Sequence, residues 1–276
     1  MESPEPVLTA HLFPELRQHL LSLLNNLNET DWQRATSAGK WNVKDVVLHL
    51  LSGDVGNLSR RRDKHSLPGP ASSEWKDLVA FINSINESWV VAGQRISPRV
   101  LCDLLAHVGP QIEEYFQSLD PFALGGVVNW AGPDPAPQWL DVAREYTERW
   151  HHQQQIRDAA GKPGLYEPRL FAPVIATFAR ALPHTFRSVN APENTAVQLT
   201  VTGPGESDWM VRKSHTGWEL LAGRAAAPTA EVTLRSEDAW KIFTRGIRGG
   251  EALQRAALQG NKSLGAKVLE MISVIA

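Results

Sequence analysis

Glu145-Tyr-Thr-Glu-Arg-Trp-His-His-Gln-Gln-Gln-Ile-Arg-Asp-Ala-Ala-Gly161 is the stretch from which the rest of the chain can be read. Pro137 stands ahead of it, and Gly161 followed by Pro163 closes it, which is helix punctuation. The pattern predicts a helix over residues 138–160. Within it Glu148 and His152 are four residues apart, so both side chains leave one face, one turn apart. A carboxylate and an imidazole so placed can share a divalent metal ion. The same spacing also suits a solvated ion pair, which on spacing alone is the commoner arrangement. A metal needs a third ligand. The one other segment that offers it in comparable context is Trp41-Asn-Val-Lys-Asp-Val-Val-Leu-His49-Leu50. Taken by itself, a histidine in such an apolar run, as His49 is, is more often a packed core histidine.

Outward from this stretch, apolar spacing lays out a bundle. Residues 8–27 carry Leu12, Leu16, Leu20, Leu23, Leu24 and Leu27 at helical intervals, and Asn28-Glu-Thr-Asp31 ends that helix. Asn42 is a good N-cap for the next helix, with Asp45 at the capping-box position and Trp41 placed as a hydrophobic staple. Val46, Val47, Leu50 and Leu51 form its buried side, and His49 lies among them. Arg60-Arg-Arg-Asp-Lys64 reads as a solvated helix end whose cations suit the C-terminal dipole. Ser73-Glu74 opens a third helix, and Ser97-Pro98 a fourth, with a kink expected at Gly109-Pro110. His107 in the fourth reads as packed or exposed rather than as a ligand. Residues 121–137 form a Gly/Pro-rich loop holding Val127, Val128 and Trp130, an unusual content for a connector. The helix over 138–160 completes an up-and-down four-helix bundle with ligands pointing inward.

After Gly161-Lys-Pro-Gly164 the pattern changes. Residues 168–189 read as a further helix strained at Pro183, and alternating segments then begin at Ala196, Asp208, Trp218 and Ala230, separated by glycine turns. These predict a small antiparallel sheet, followed by a helix capped at Ser236-Glu237-Asp238 and two more helical pieces. The class is α+β, with a bundle over residues 1–162 and a small α+β domain over residues 163–276.

Composition bounds the function. The 276 residues are 42% hydrophobic with a formal net charge of -2, which gives no reason to expect a nucleic-acid or anionic-membrane partner. Apolar runs are short and broken by charge, and the start lacks signal-peptide regions, so a cytoplasmic protein without a membrane segment is expected. The single cysteine, Cys102, excludes an internal disulfide and a thiolate metal cluster.

The segment Trp41 to Leu50, followed some hundred residues later by Glu148-Arg-Trp-His-His152-Gln-Gln-Gln-Ile-Arg-Asp158, resembles the DinB-like superfamily of metal-binding four-helix bundles. More narrowly it is similar to the mycothiol-dependent maleylpyruvate isomerase family. Other DinB-like branches carry a third histidine at the position of Glu148. Ala230-Glu-Val-Thr-Leu-Arg-Ser-Glu-Asp-Ala-Trp240, Phe243-Thr-Arg-Gly246, Leu258-Gln-Gly260 and Leu264 resemble the sterol-carrier-like domain attached in that family. The resemblance implies that His49, Glu148 and His152 bind one divalent ion, zinc first, and act in catalysis. It also implies an arginine from the second domain, for which Arg245 is the candidate against an ordinary surface arginine. Family members often read Gly-Arg there, whereas this chain reads Thr244-Arg245-Gly246.

Two imidazoles and one carboxylate leave a +1 site with open positions, the pattern of catalytic zinc. Cys102 lies outside both motifs, so the thiol is expected from a small-molecule cosubstrate, mycothiol by the resemblance, acting on an electrophilic substrate. The implied activity is a metal-dependent thiol transferase or maleylpyruvate isomerase, in a monomer or homodimer. The alternative is a non-catalytic metal-containing small-molecule binding protein. His151, about 100° around the helix from His152, is expected to point elsewhere. Gln155 or Asp45 is expected to orient a ligand imidazole, with helix capping the alternative for Asp45.

Overall fold

Asn42 begins the helix that carries His49, and it does so by the expected capping box. Its Oδ1 accepts from the Asp45 backbone N–H at 2.9 Å, while Asp45 Oδ2 accepts from the Asn42 N–H at 3.0 Å. The computed structural model describes residues 2–65, 68–70, 72 and 74–274. They form two units: Ala10–Leu119 with Glu148–Gly164, and Met1–Thr9 with Asp120–Thr147 and Leu165–Ile275. The helix over 138–160 begins in the second of these units, where the Tyr146 hydroxyl donates to Leu170 O at 2.9 Å.

The helical unit contains α1 (Phe13–Asn25), α2 (Val43–Asn57), α3 (Trp75–Gly93), α4 (Pro98–Ser118) and most of α5 (Gln138–Ala160). Leu20, Leu23 and Leu24 of α1, Val46, Val47, Leu50 and Leu51 of α2, Leu101 and Leu105 of α4 and Ile156 of α5 share one core. The start of α2 is clamped to the end of α3. Lys44 Nζ donates to Gln94 O at 2.8 Å, Gln94 Nε2 to Asp45 Oδ1 at 2.7 Å, and Trp89 Nε1 to Leu48 O at 2.9 Å. Gly93 permits this approach, since a Cβ there would stand 2.5 Å from Leu48 Cδ2. Beyond α2 the chain continues through a π-helical turn, Leu58–Arg62, where Arg62 pairs with Asp63. The expected cap at Ser73 lies outside the described residues. α4 runs on through Gly109 and Pro110, and Ser97 caps it as expected.

The other unit holds a five-stranded sheet. Its strands are β3 (Ala196–Thr202), β4 (Ser207–Lys213), β5 (Trp218–Ala222), β6 (Ala230–Arg235) and β7 (Ala257–Gly260), in the order β5-β4-β3-β6-β7. The expectation of a purely antiparallel sheet is corrected, because β3 pairs with β6 in parallel, Val197 opposite Ala230. The hairpins through β4 and β5 carry the chain to one side of β3, and it then crosses to the other side to form β6. The short β7 was not expected, and it completes the edge by pairing with β6. The helix expected over 168–189 is two pieces, α6 (Pro168–Ala179) and α7 (Leu182–Phe186), with Pro183 in the first turn of the second, where its missing N–H costs least. Residues expected as a plain loop before α5 include a small hairpin, β1 (Leu124–Val127) with β2 (Pro135–Pro137), and bury Val128 and Trp130. α8 (Ser236–Phe243), α9 (Gly249–Arg255) and α10 (Lys262–Val268) supply the remaining helices. Among the described residues no helix is long and apolar enough to cross a membrane.

In the helical unit Arg17 of α1 crosses α4 at Gly109 to reach Glu113, with Nε to Oε1 at 2.5 Å and a second bond at 3.1 Å. A Cβ at Gly109 would stand 2.2 Å from Arg17 Cδ. Gly109→Ala therefore expels Arg17 and leaves the Glu113 carboxylate, 6% exposed, without its cation. Alanine's helix propensity returns about 1 kcal/mol, against about 3–5 kcal/mol for breaking such a pair. We expect a net loss of about 2 kcal/mol or more in urea unfolding, and an unchanged midpoint would refute the packing argument.

Candidate metal centre

α5 is mostly polar, yet it is buried along most of its length. His151, His152, Gln153, Gln154 and Gln155 are each 7% exposed or less. Polar side chains at such depth require partners. Gln153 donates through Nε2 to Leu16 O at 3.2 Å, and its Oε1 accepts from Arg157 at 3.1 Å. His152 Nδ1 faces Gln155 Oε1 at 2.7 Å, one turn along the same helix.

The other ring nitrogen of His152, Nε2, is 3.3 Å from Glu148 Oε2. His49 Nε2, from α2, is 4.0 Å from the same oxygen. Three donor atoms from His49, Glu148 and His152 lie within 4.8 Å of one another. The side chains of Glu148 and His49 are 24% and 18% exposed, so the cluster is reachable from outside. The rings are close: His49 and His152 meet edge to face at 4.7 Å between ring centres, and the Trp41 ring centre lies 5.1 Å from that of His49.

Burial opposes ionisation of Glu148. Hydrogen bonds with His152 and His49, and the charges of His151 and His152, outweigh it and hold the carboxyl well below the usual carboxylate range. A carboxylate facing two imidazole nitrogens is an arrangement that could hold a cation. Donors bound to one zinc near tetrahedral angles lie about 3.4 Å apart. The His152–Glu148 distance meets that spacing, and the 4.0 Å His49–Glu148 distance exceeds it by about half an ångström, which side-chain rotation can close. The donor set therefore fits a divalent ion.

Residues 13–157, more than half of the chain, match the family described as mycothiol maleylpyruvate isomerase N-terminal domain. The chain belongs to this family. Two solved structures of the mycothiol-dependent maleylpyruvate isomerase share its fold. The first is 11% identical with a TM-score of 0.53, covering 87% of this chain and 89% of that one. The second, a single-site variant, is 10% identical with a TM-score of 0.52, covering 93% and 92%. The sterol carrier protein 2 like 2 from Aedes aegypti aligns with 36% of this chain and 95% of its own, at 26% identity, with a TM-score of 0.29, too low to carry an argument. Among curated proteins no sequence matches this chain.

In this mycothiol maleylpyruvate isomerase family member, His151 stacks on His152 at 4.0 Å between ring centres but is outside the set of three. Asp45 caps α2 and accepts from Gln94, so of the two polar candidates Gln155 is the one on an imidazole. His107 is exposed. Arg245 belongs to the other unit, at the turn after α8, with a left-handed φ of 64°. Cys102 is buried in the helical core, and burial, with the charge of Asp103, pushes its thiol above the ordinary value.

The sequence reading missed an ion pair beside the cluster. Arg149, the residue after Glu148, pairs with Asp54 of α2, its Nε 3.1 Å from Oδ1. The guanidinium also lies 5.4 Å and 5.6 Å from the Phe13 and Phe116 ring centres. The signal was present as an aspartate in line with Leu50 and Leu51. Together with Arg17, Glu113 and Gln153, the pair lines a cavity of about 30 Å³ in the helical unit. Asp54→Ala leaves Arg149 without that carboxylate and should cost about 3–5 kcal/mol. Because Asp54 supplies none of the three donors, any divalent ion that the wild type binds should also be bound by the folded fraction of the variant. Loss of metal with full stability would contradict this division of roles.

Proposed function

We propose that this protein is a metal-dependent enzyme that uses a low-molecular-weight thiol, of the maleylpyruvate isomerase or thiol transferase type. The observation that carries the reading is the convergence of two imidazoles and one carboxylate, His49, His152 and Glu148, in the region that matches the family. The solved relatives are named as a mycothiol-dependent maleylpyruvate isomerase, which supports mycothiol as the thiol and an unsaturated dicarbonyl acid as a substrate. Zinc is the ion proposed, since a ligand set of two His and one Glu leaves open coordination positions. When bound there, zinc supplies the positive charge that favours the thiolate form of a thiol near neutral pH.

The chain's own contribution is geometric. α2 and α5 present the three donors, and Gln155 holds the His152 ring. Cys102 is a poor source of the nucleophile, because its thiol is buried and held protonated. A cosubstrate thiolate would add its sulfur to the alkene carbon β to a carbonyl, and the alkene electron pair would move onto that carbonyl as an enolate. Rotation about the resulting carbon–carbon single bond, then collapse of the enolate with expulsion of the same thiolate, would give the isomer and return the thiolate unchanged. We also carry Arg245 as a candidate anion contact. The cytoplasmic location expected from the sequence is part of this proposal.

The test combines metal analysis with turnover. We expect about one zinc per chain in the purified protein, held at neutral pH. His49→Ala and His152→Ala should lose the metal while keeping their helical content. Isomerisation of a maleyl substrate, or thiol transfer to a chlorinated one, should fall on the order of 100-fold or more in His49→Ala. Metal and ligand binding without turnover of either substrate would instead identify a non-catalytic binding protein.

A further inference from the structure

We propose that Gln155 is a positioning residue that selects which nitrogen of His152 faces the metal, an inference that rests on the metal-dependent reading above. Gln155 presents its carboxamide oxygen to Nδ1 of His152 at 2.7 Å, while Nε2 of the same ring points to Glu148. Both residues are nearly fully buried, at 6% and 7% exposure, so little water competes for that bond. An oxygen at Nδ1 accepts a proton only if Nδ1 carries it. Nε2 is then the nitrogen whose lone pair is left for a cation beside Glu148. The i,i+3 spacing on α5 builds this arrangement into one helical turn. His151 and His49 border the ring at 4.0 Å and 4.7 Å between ring centres, which further limits how it can turn.

Charge matters as well as direction. A glutamine is neutral, so it orients the ring without adding a second negative charge beside Glu148. A glutamate would orient the ring equally well. A leucine of similar size would fill the space and offer no acceptor. Metal sites commonly lose about 10–100-fold in affinity when such a partner is removed.

The experiment measures zinc(II) affinity by competition with a chromophoric chelator in the wild type, Gln155→Leu and Gln155→Glu. Thermal unfolding of the metal-free proteins serves as a control. Long-range proton–nitrogen NMR of zinc-loaded wild type reads the His152 ring directly. We expect Gln155→Leu to bind zinc about 10–100-fold more weakly, and Gln155→Glu to recover most of that loss. The NMR should show Nε2 on the metal and a proton on Nδ1. Equal affinity in Gln155→Leu and wild type overturns the role, as does an equal loss in both variants, which marks a packing effect alone. Coordination through Nδ1 overturns it too. A wild type that binds no zinc sinks the metal reading itself, a result distinct from all three.

Discussion

A polar helix is buried in this protein, and the helical unit is built to satisfy it. α5 carries His-His-Gln-Gln-Gln at positions where a bundle helix would ordinarily place leucine, and those residues are almost fully covered. Its backbone groups are met within the helix, but its side chains need partners from elsewhere. They find them on α1 through Leu16 O, on α2 through Asp54 and His49, and within α5 through Gln155 and Arg157. An unmet buried polar group costs about 1–3 kcal/mol, so these bonds specify one arrangement of the neighbouring helices.

Two polar centres result from consecutive residues. Glu148 turns toward His49, and Arg149, the next residue, turns toward Asp54, five residues after His49 on α2. The buried ion pair thus ties α2 to α5 close to the three donor atoms. A slide of either helix would break a charged bond before it moved a ligand far. Phe13 and Phe116 against the Arg149 guanidinium extend the tie to α1 and α4. The site therefore sits on packed helices rather than on mobile loops, which suits a metal centre.

Much of this was legible in the residues. The capping box at Asn42 and Asp45 is local, and local chemistry reads directly from sequence. The His49, Glu148 and His152 group was suggested by one i,i+4 spacing and then by the family pattern, since no spacing joins α2 to α5 across a hundred residues. The Asp54–Arg149 pair was not read, because a charged residue in an apolar stripe has no visible partner until the helices are brought together. The parallel β3–β6 pairing was missed for a related reason. Alternation marks a strand but not its neighbour or direction, and β7 is too short to stand out between two helical pieces.

The crossing of Arg17 over Gly109 constrains the order in which this lineage can change. Glycine at 109 acquires a side chain only by expelling Arg17 from that space. Arg17 cannot shorten first, because Glu113 would remain buried and charged beneath it. Glu113 can go first, since Arg17 is 23% exposed and can turn its guanidinium to water. The path of least cost therefore runs from 113 to 17 to 109.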